Sequence, residues 1–393
     1  MDDYSPEESP PKSRHATIPN AGLPSDEAVG ILEPVAYFND AMPTGVTVSQ
    51  KGRIFVNFPK WGDDVSFTVA EIRDGKTMAF PDETINQTDS NDLAAALVSV
   101  QSVVVDPADR LWILDTGSPL FEPTKYGGPK LICVDLKTDE VTKKILFPQN
   151  VALPTTYLND VRFDLRKGKE GVAYITDSAQ NGPNGIIVVD LASGESWRRL
   201  NDHPSTKAED LYSFLPMVEG RPFLVKQQQT DDNKREPMKL AANMGSDGIA
   251  ISANGERVYY CPLAGRKLYS VSTESLLDKS VDDQSASKTV KDEGNKGGGS
   301  DGLESDAEDH VYATNYEQNA ILRRSHNGEW ETIVHDPRLL WPDTLSLATD
   351  GYLYVTANQL HRQARFHDGR DLRQKPYTLF RVNVNAKPVL LLR

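Results

Sequence analysis

Residues 245–262 read GSDGIAISANGERVYYCP: a small turn, an acidic residue before glycine, an apolar strand, a tight turn and a second strand. Repeats of about 40–60 residues built from short strands are typical of propellers, in which one blade cannot bury both of its faces alone. About four strands follow each copy, so the sequence predicts an all-β, six-bladed β-propeller with four-stranded blades. The other copies are MPTGVTVSQKGRIFVNF (42–58), VQSVVVDPADRLWILDTG (100–117), LNDVRFDLRKGKEGVAYITD (158–177), GSDGLESDAEDHVYATN (299–315) and WPDTLSLATDGYLYVTAN (341–358).

The spacing of the copies predicts the domain organisation. They span about residues 40–360, which favours a single propeller domain over residues 26–393. Residues 1–25 are rich in proline, serine and charge, and we expect a disordered or surface-hugging arm. The period is interrupted by polar stretches at about 200–243 and 278–300, which we interpret as loop insertions. Long loops of this kind lie on one face of a propeller and often roof its site.

The composition narrows the range of partners. The chain of 393 residues has a net charge of −14, which argues against a nucleic-acid backbone or an anionic membrane surface as partner. No stretch reaches the length of a transmembrane span. The acidity suits a cation held by carboxylates, although it also serves plain solubility. We therefore expect a monomer that takes a small-molecule substrate or ligand.

The two cysteines and the N-terminus bear on the compartment. Cys133 and Cys261 lie in apolar strand-like runs, where we expect buried hydrophobes; whether they are free is left open. The N-terminal stretch as written has no apolar signal region, which predicts a cytoplasmic protein. A secreted protein trimmed of its signal would look the same, and the sequon Asn86-Gln87-Thr88 is compatible with secretion.

When the six copies are aligned, the residue before the glycine-like position stands at the start of the first strand of each copy. Strand starts in a propeller surround its central channel, so these six residues should form a ring at one mouth of that channel. Close-set carboxylates repel one another, so they need a proton or a cation between them. Oxygen ligands in this number suit Ca²⁺ before Mg²⁺. The alternative is ordinary turn chemistry, in which each aspartate caps its own backbone and the following glycine takes a positive φ. The aligned residues are Thr44, Gln101, Asp160, Asp247, Asp301 and Asp343.

The ring of aligned residues and its neighbours suggest metal-binding, catalytic and substrate-binding roles. We expect Asn159, Asp247 and Asp301 to hold a divalent cation, with Asp343 as a further donor. Asp160 and Asp301 are the candidate catalytic groups, and Gln101, Asn159, Asp343 and Trp341 the candidate substrate-binding residues. His335 and His361 fall in loops near the last copies, and a solvated position is the favoured interpretation for both. No spacing typical of a zinc site or of a serine nucleophile occurs.

Three segments resemble the yellow / major royal jelly protein family: DPADRLWILDTG (106–117), AYITDSAQNGPNGIIVVDL (173–191) and GIAISANGERVYYCPLAGRKLYSVST (248–273). The resemblance implies a six-bladed propeller. That family includes proteins that bind small ligands such as biogenic amines in the central channel, proteins linked to dopachrome conversion, and nutritional or secreted proteins.

A more distant similarity is to the gluconolactonase/regucalcin-type propellers and the paraoxonases, which are calcium-dependent lactone hydrolases. The SDG phrase at Asp301 and the LND phrase at Asn159 resemble their metal-binding phrases. Thr44 departs from that pattern, because those enzymes place a glutamate there, and this puts a tight metal site in doubt.

Three functions remain open on the sequence. The first is hydrolysis of a lactone or related ester, with Ca²⁺ polarising the carbonyl and Asp160 acting as general base. The second is non-catalytic binding of a small amine or polyol at the acidic mouth. The third is metal-independent isomerisation of a quinone-like substrate by an aspartate base. No organic cofactor is indicated.

Overall fold

The computed structural model describes residues 28–89, 91–225 and 239–393. The arm expected at residues 1–25 lies outside the described residues. Six four-stranded antiparallel sheets surround one axis, and the innermost strand of each sheet contacts those of the two neighbouring sheets. The six-bladed propeller is therefore confirmed.

The first three blades follow directly from the first three copies of the repeat. Blade one comprises Val46–Val48, Ile54–Asn57, Val69–Arg73 and Lys76–Ala79. Blade two comprises Val100–Val105, Arg110–Asp115, Lys130–Asp135 and Glu140–Leu146. Blade three comprises Leu158–Asp164, Val172–Asp177, Gly185–Asp190 and Ser196–Arg199. In each blade the strands run outward from the axis in chain order.

The last three blades complete the ring. Blade four comprises Ser246–Ile251, Arg257–Pro262, Lys267–Ser272 and Lys291–Asn295. Blade five comprises Leu303–Ser305, Val311–Asn315, Ala320–Arg324 and Trp330–His335. Blade six comprises Pro342–Leu347, Tyr352–Ala357, Tyr377–Asn383 and, as its outermost strand, Glu33–Phe38. The pairing of Glu33–Phe38 with Tyr377–Asn383 joins the two ends of the described chain and closes the ring.

Short helices lie in the connections between strands. The α-helical turns are Glu83–Asn86, Thr273–Leu277 and Asp283–Ser287. The 3₁₀ turns are Pro119–Phe121, Pro204–Thr206, Leu360–Arg362 and Ala364–Phe366. Two small ladders, Met217–Val218 with Arg221–Pro222 and Leu224–Val225 with Lys239–Leu240, lie in the segment that the sequence marks as the first insertion.

The second predicted insertion differs from a simple loop. Residues 278–300 contain the helix Asp283–Ser287 and also Lys291–Asn295, the outermost strand of blade four. This strand reads KDEGN and is almost fully exposed, so it carries no apolar alternation by which the sequence could reveal it. Edge strands of this charged kind discourage pairing with other chains.

The apolar core is divided among the blade interfaces. Between blades two and three, Trp112 stacks on Phe163 with ring centroids 5.3 Å apart. Cys133 belongs to the same interface and Cys261 to the one between blades four and five. Both cysteines are buried and unpaired. Among the described residues, no helix combines the length and the apolar run that crossing a bilayer requires.

The sequon asparagine is a structural residue. The Asn86 side chain is buried and accepts hydrogen bonds from the backbone N–H groups of Thr68 and Val69, both at 2.9 Å. Its amide nitrogen donates to the carbonyls of Phe80 and Asp82. All four hydrogen-bonding positions of the Asn86 amide are thus used within the fold.

Candidate ligand site at the channel mouth

The innermost strands are distorted where the candidate residues lie. A β-bulge sets two residues against one on the neighbouring strand and re-aims their side chains, a device common beside functional sites. In blades two, three, four and six the pairing register shifts at the start of the innermost strand. The shifts fall between Val100 and Ser102, Leu158 and Val161, Ser246 and Ile249, and Pro342 and Leu345.

The glycines that follow the aspartates serve close packing at the axis. A Cβ added to Gly248 would lie 2.3 Å from the backbone oxygen of Asp301, and one added to Gly302 would lie 2.3 Å from that of Asp343. Neither glycine has a positive φ. The Asp-Gly phrase is therefore explained by the approach of neighbouring inner strands, not by the tight turn that the alternative interpretation proposed.

Five of the candidate side chains meet in one cavity. It has a volume of about 20 Å³, which is room for about one water molecule. All five are more than nine-tenths buried. The cavity is lined by Gln101, Asn159, Asp247, Asp301 and Asp343.

Asp160 and Thr44 are engaged elsewhere. The Asp160 carboxylate accepts hydrogen bonds from the Ser102 hydroxyl at 2.7 Å and from Arg162 at 3.2 Å. The Thr44 hydroxyl accepts from the Asn57 amide at 2.8 Å. Neither residue lines the cavity. Asp160 is thus engaged outside the cavity, and its role as a general base stays a prediction.

Asp247, Asp301 and Asp343 form an acidic triad without a basic partner. No ion pair among the described residues includes any of the three. Burial and then repulsion from Asp301 raise the pKa of Asp247 and of Asp343 well above the usual range. Burial also raises the pKa of Asp301, to about 6, against hydrogen bonds from Trp341 and Asp247 that lower it. Because Asp301 raises the pKa of both other carboxyls, the three titrate together and not as independent groups.

Trp341 forms a hydrogen bond to the triad from outside the cavity. It is fully buried and donates its indole N–H to Asp301 at 2.8 Å, but it does not line the cavity. Its ring lies between Tyr316, at a centroid distance of 4.2 Å, and His361, at 5.8 Å. The contact with substrate expected for Trp341 stays untested; its observed contact is with Asp301.

His361 is buried, in contrast to the solvated position expected from the sequence. Its Nε2 lies 2.9 Å from the Glu219 carboxylate, and burial lowers the pKa of the imidazole. The reason is the packing of its 3₁₀ turn against Trp341, which a loop sequence does not reveal.

Two amide side chains face the cavity with unused hydrogen-bonding capacity. The Asn159 amide makes no hydrogen bond to any described residue, although its residue is only 5% exposed. Gln101 accepts from the Tyr157 hydroxyl at 3.1 Å, while its amide nitrogen has no partner in the described part of the chain. Buried polar groups are almost always hydrogen-bonded, so unused ones lining a cavity indicate a site for a polar ligand or water.

Aromatic rings form the wall beside the acids. Trp61 and Phe121 both line the cavity and stack with centroids 5.2 Å apart. Phe121 also stacks on Tyr157 at 4.9 Å, and Tyr157 accepts the Trp61 indole N–H at 2.9 Å. Phe121 could not be predicted from the sequence, because it lies in a loop outside the repeated phrase.

The roof comes from two segments distant in the chain. Ala241, Ala242 and Met244, at the end of the first insertion, close one side of the cavity. Arg365 and Phe366, in the connection between the second and third strands of blade six, close the other. Ala241 and Ala242 of the first insertion thus line the cavity, whereas nothing in the repeat pointed to residues 360–366. That the insertion as a whole roofs the site stays a prediction.

The predicted calcium site is not identified in the part of the chain that the structure describes, and the cation stays a prediction. Among the described residues, no three or more His, Cys, Asp or Glu side chains are grouped so that they could hold a metal ion. Ca²⁺ takes about six to eight oxygen ligands. The only predicted donors lining the cavity are Asn159 and the triad, and the triad's carboxyls partly bond to their neighbours. We therefore derive no chemical step through a metal.

A family model described as Major royal jelly protein matches residues 98–388. Major royal jelly protein 7 of Apis mellifera is 28% identical over 188 residues, covering 47% of this chain and 37% of that protein. Protein yellow of Drosophila melanogaster is 26% identical over 252 residues, covering 61% of this chain and 42% of that protein. The matches thus span only about two fifths of the length of these curated relatives.

Solved structures with the same fold include two further proteins. The calcium-binding protein regucalcin from Agrobacterium tumefaciens has a TM-score of 0.53 at 13% identity, covering 90% of this chain and 95% of that one. A gluconolactonase from Xanthomonas campestris has a TM-score of 0.50 at 10% identity, covering 92% of this chain and 99% of that one. At these identities the likeness concerns the fold alone.

Proposed function

The chain belongs to the major royal jelly protein family, and we propose that this protein binds a small organic cation at its channel mouth. The observation that carries the proposal is the acidic triad Asp247, Asp301 and Asp343, buried together with no basic side chain of the described residues paired to it. Buried charges in proteins are normally paired, so an unpaired acidic cluster on a cavity suits a cationic ligand.

The neighbouring groups suit the same ligand. Trp61 and Phe121 line the cavity and can pack on the apolar body of such a ligand. Asn159 and Gln101 supply free amide groups for the ligand's polar substituents. The empty cavity holds about one water, so entry of a ligand requires the side chains around it to move apart.

Binding is expected to release protons and to tighten as the pH rises. A cation favours ionised carboxylates, whereas burial raises the pKa of all three triad members in the empty protein. Affinity should therefore increase between pH 5 and pH 8, by at most about tenfold per pH unit for each proton released. The measurement is isothermal titration calorimetry with 2-phenylethylamine at both pH values.

The matched control ligand is 2-phenylethanol, which has the same ring and chain but no charge. It should bind at least tenfold more weakly than the amine at pH 8, given about 1.4 kcal/mol or more for the ion pair. Equal affinities for the two compounds, or an amine affinity that falls as the pH rises, would contradict the proposal.

Hydrolysis of a lactone or related ester is the second candidate. The observation that favours it is that three carboxyls with raised pKa values line one cavity, since such a group can offer an acid and a base without a metal. The same carboxyls would serve the isomerisation of a quinone-like substrate. Turnover of a δ-lactone panel that is lost in Asp301→Asn and survives chelation supports this candidate; absence of turnover by the wild type rules it out for those substrates.

A further inference from the structure

Arg365 is an unpaired cation at the outer edge of the acidic cavity. Its guanidinium lies over the rings of Phe366, Phe121 and Trp61, at 4.5, 5.0 and 5.8 Å from the ring centroids. No carboxylate of the described residues is within ion-pair distance of it. Its neighbours along the chain, Arg362 and Arg373, are by contrast both ion-paired, to Glu219 and to Asp63 and Asp371.

The donors of Arg365 are partly oriented already. Its Nε donates to the Gln363 side chain at 2.9 Å, which leaves the two terminal nitrogens without a partner among the described residues. Those two nitrogens form the end-on fork that binds a carboxylate with two parallel hydrogen bonds. A fork held by three rings and one hydrogen bond needs little further ordering to accept an anion.

The cavity therefore has acidic groups at one end and a basic group at the other. The triad lies at its inner end, where Asp247, Asp301 and Asp343 are almost fully buried, and Arg365 lies at its outer end, more than a third exposed. Trp61 and Phe121 line the same cavity and lie beside the Arg365 guanidinium. A ligand that satisfies both ends carries its two opposite charges on either side of an apolar body.

We propose that Arg365 is an anion subsite and that the ligand is an elongated aromatic zwitterion. Its amine pairs with the acidic triad, its ring packs on Trp61 and Phe121, and its carboxylate binds the Arg365 fork. The inner half of this assignment rests on the proposed cation-binding function, and the Arg365 half stands on its own contacts. On this assignment a ligand with adjacent charges, such as an α-amino acid, is expected to bind less tightly than one with separated charges.

Three probes of one shape separate the two halves. The zwitterion is 4-(2-aminoethyl)benzoate, the cation is 2-(4-methylphenyl)ethylamine and the anion is 4-ethylbenzoate. Phenylalanine, an isomer of the zwitterion with adjacent charges, tests the spacing. The wild-type protein should bind the zwitterion about tenfold more tightly than either the cation or phenylalanine, because a charge-assisted bidentate bond contributes about that factor.

The variant that tests the subsite is Arg365→Gln, with Arg370→Gln as the matched control on an exposed arginine of the same segment that does not line the cavity. In Arg365→Gln the preference for the zwitterion over the cation should disappear, whereas in Arg370→Gln it should persist. Arg365→Lys should keep part of it, since the charge stays but the fork is lost.

The outcomes distinguish the two proposals. If the cation binds and its ratio to the zwitterion is the same in wild type and Arg365→Gln, the anion subsite is wrong and cation binding stands. If the cation does not bind but 4-ethylbenzoate binds in an Arg365-dependent manner, cation binding is wrong and the subsite stands. If phenylalanine matches the zwitterion, the elongated ligand is wrong.

Discussion

Replacing Asp301 by asparagine is expected to weaken the binding of 2-phenylethylamine about 100-fold at pH 8, a loss of about 3 kcal/mol that is typical for removing one partner of a buried charge pair. Asp301 is the triad member with the least raised pKa, about 6, because Trp341 and Asp247 both hydrogen-bond to it. Its residue lines the cavity, so the variant removes a carboxylate with which the ammonium group is proposed to pair. Calorimetry on the wild type and the variant measures the loss.

The same substitution is expected to stabilise the empty protein. The pKa of Asp301 is raised in the folded state above its unfolded value, so the folded state binds the proton more strongly. Stability from this group is then fully present below about pH 4 and is lost as the pH rises through about 6. Asparagine carries no charge to bury, so Asp301→Asn should gain about 1–3 kcal/mol in the free energy of unfolding at pH 8.

The gain should shrink towards zero at pH 4.5, where the wild-type carboxyl already holds its proton. Urea unfolding at the two pH values measures it. A variant that is less stable than the wild type at pH 8 would show that Asp301 has a partner in the folded protein, and that the triad is structural.

Asp160→Asn provides the contrast within the same ring of residues. Asp160 is buried like Asp301 but is paired with Arg162 and accepts the Ser102 hydroxyl. Its replacement leaves a buried arginine short of a partner, so we expect a loss of about 3 kcal/mol at pH 8. Opposite signs for the two variants separate a carboxylate kept for a ligand from one kept for the fold.

The repeat was sufficient to predict the architecture. Strand-forming stretches and turn residues recur in all six copies, and the fold of each blade depends on that local pattern. The repeat did not predict the exposed strand Lys291–Asn295. Its polar residues carry no strand pattern, and its place in the sheet is set by pairing with the neighbouring strand. The monomeric state and the compartment stay predictions.

The site was predictable only where it lies within the repeat. Alignment of the copies placed Gln101, Asp247, Asp301 and Asp343 at one mouth, since equivalent positions in blades meet at the axis. It could not show that Asp160 turns to Arg162, which depends on a bulge and on a side chain two residues away. Groups on connecting loops, such as Phe121, Arg365 and Phe366, have no equivalents in other copies and so left no signal.

Replacing Lys130 by methionine is expected to lower the free energy of unfolding by about 3–5 kcal/mol, the loss typical of breaking a buried ion pair. Lys130 lies 2.8 Å from the Asp115 carboxylate, and both side chains are wholly buried. The lysine also donates to the backbone carbonyls of Leu93 and Gly128 at 2.9 and 3.0 Å. Methionine fills the volume but leaves a buried carboxylate without its counter-charge.

The matched control is Lys267→Met. Lys267 pairs with Asp292 at a similar distance, 2.7 Å, but both side chains are about half exposed. Exposed pairs contribute about 0–1 kcal/mol, so this variant should unfold at nearly the wild-type urea concentration. The double variant Lys130→Met with Asp115→Asn should recover part of the loss, because no uncompensated charge then remains buried.

The Lys130→Met and Lys267→Met results test whether a buried carboxylate in this protein needs a basic partner, which is the premise of the site assignment. Asp115 and its equivalent in blade three, Asp177, end the second strands of their blades, and each is paired with a buried base, Lys130 and Arg198. Asp247 and Asp301 are as deeply buried but have no such base. If Lys130→Met costs no more than Lys267→Met, a buried carboxylate tolerates isolation in this fold, and the missing bases around the triad would no longer indicate a ligand.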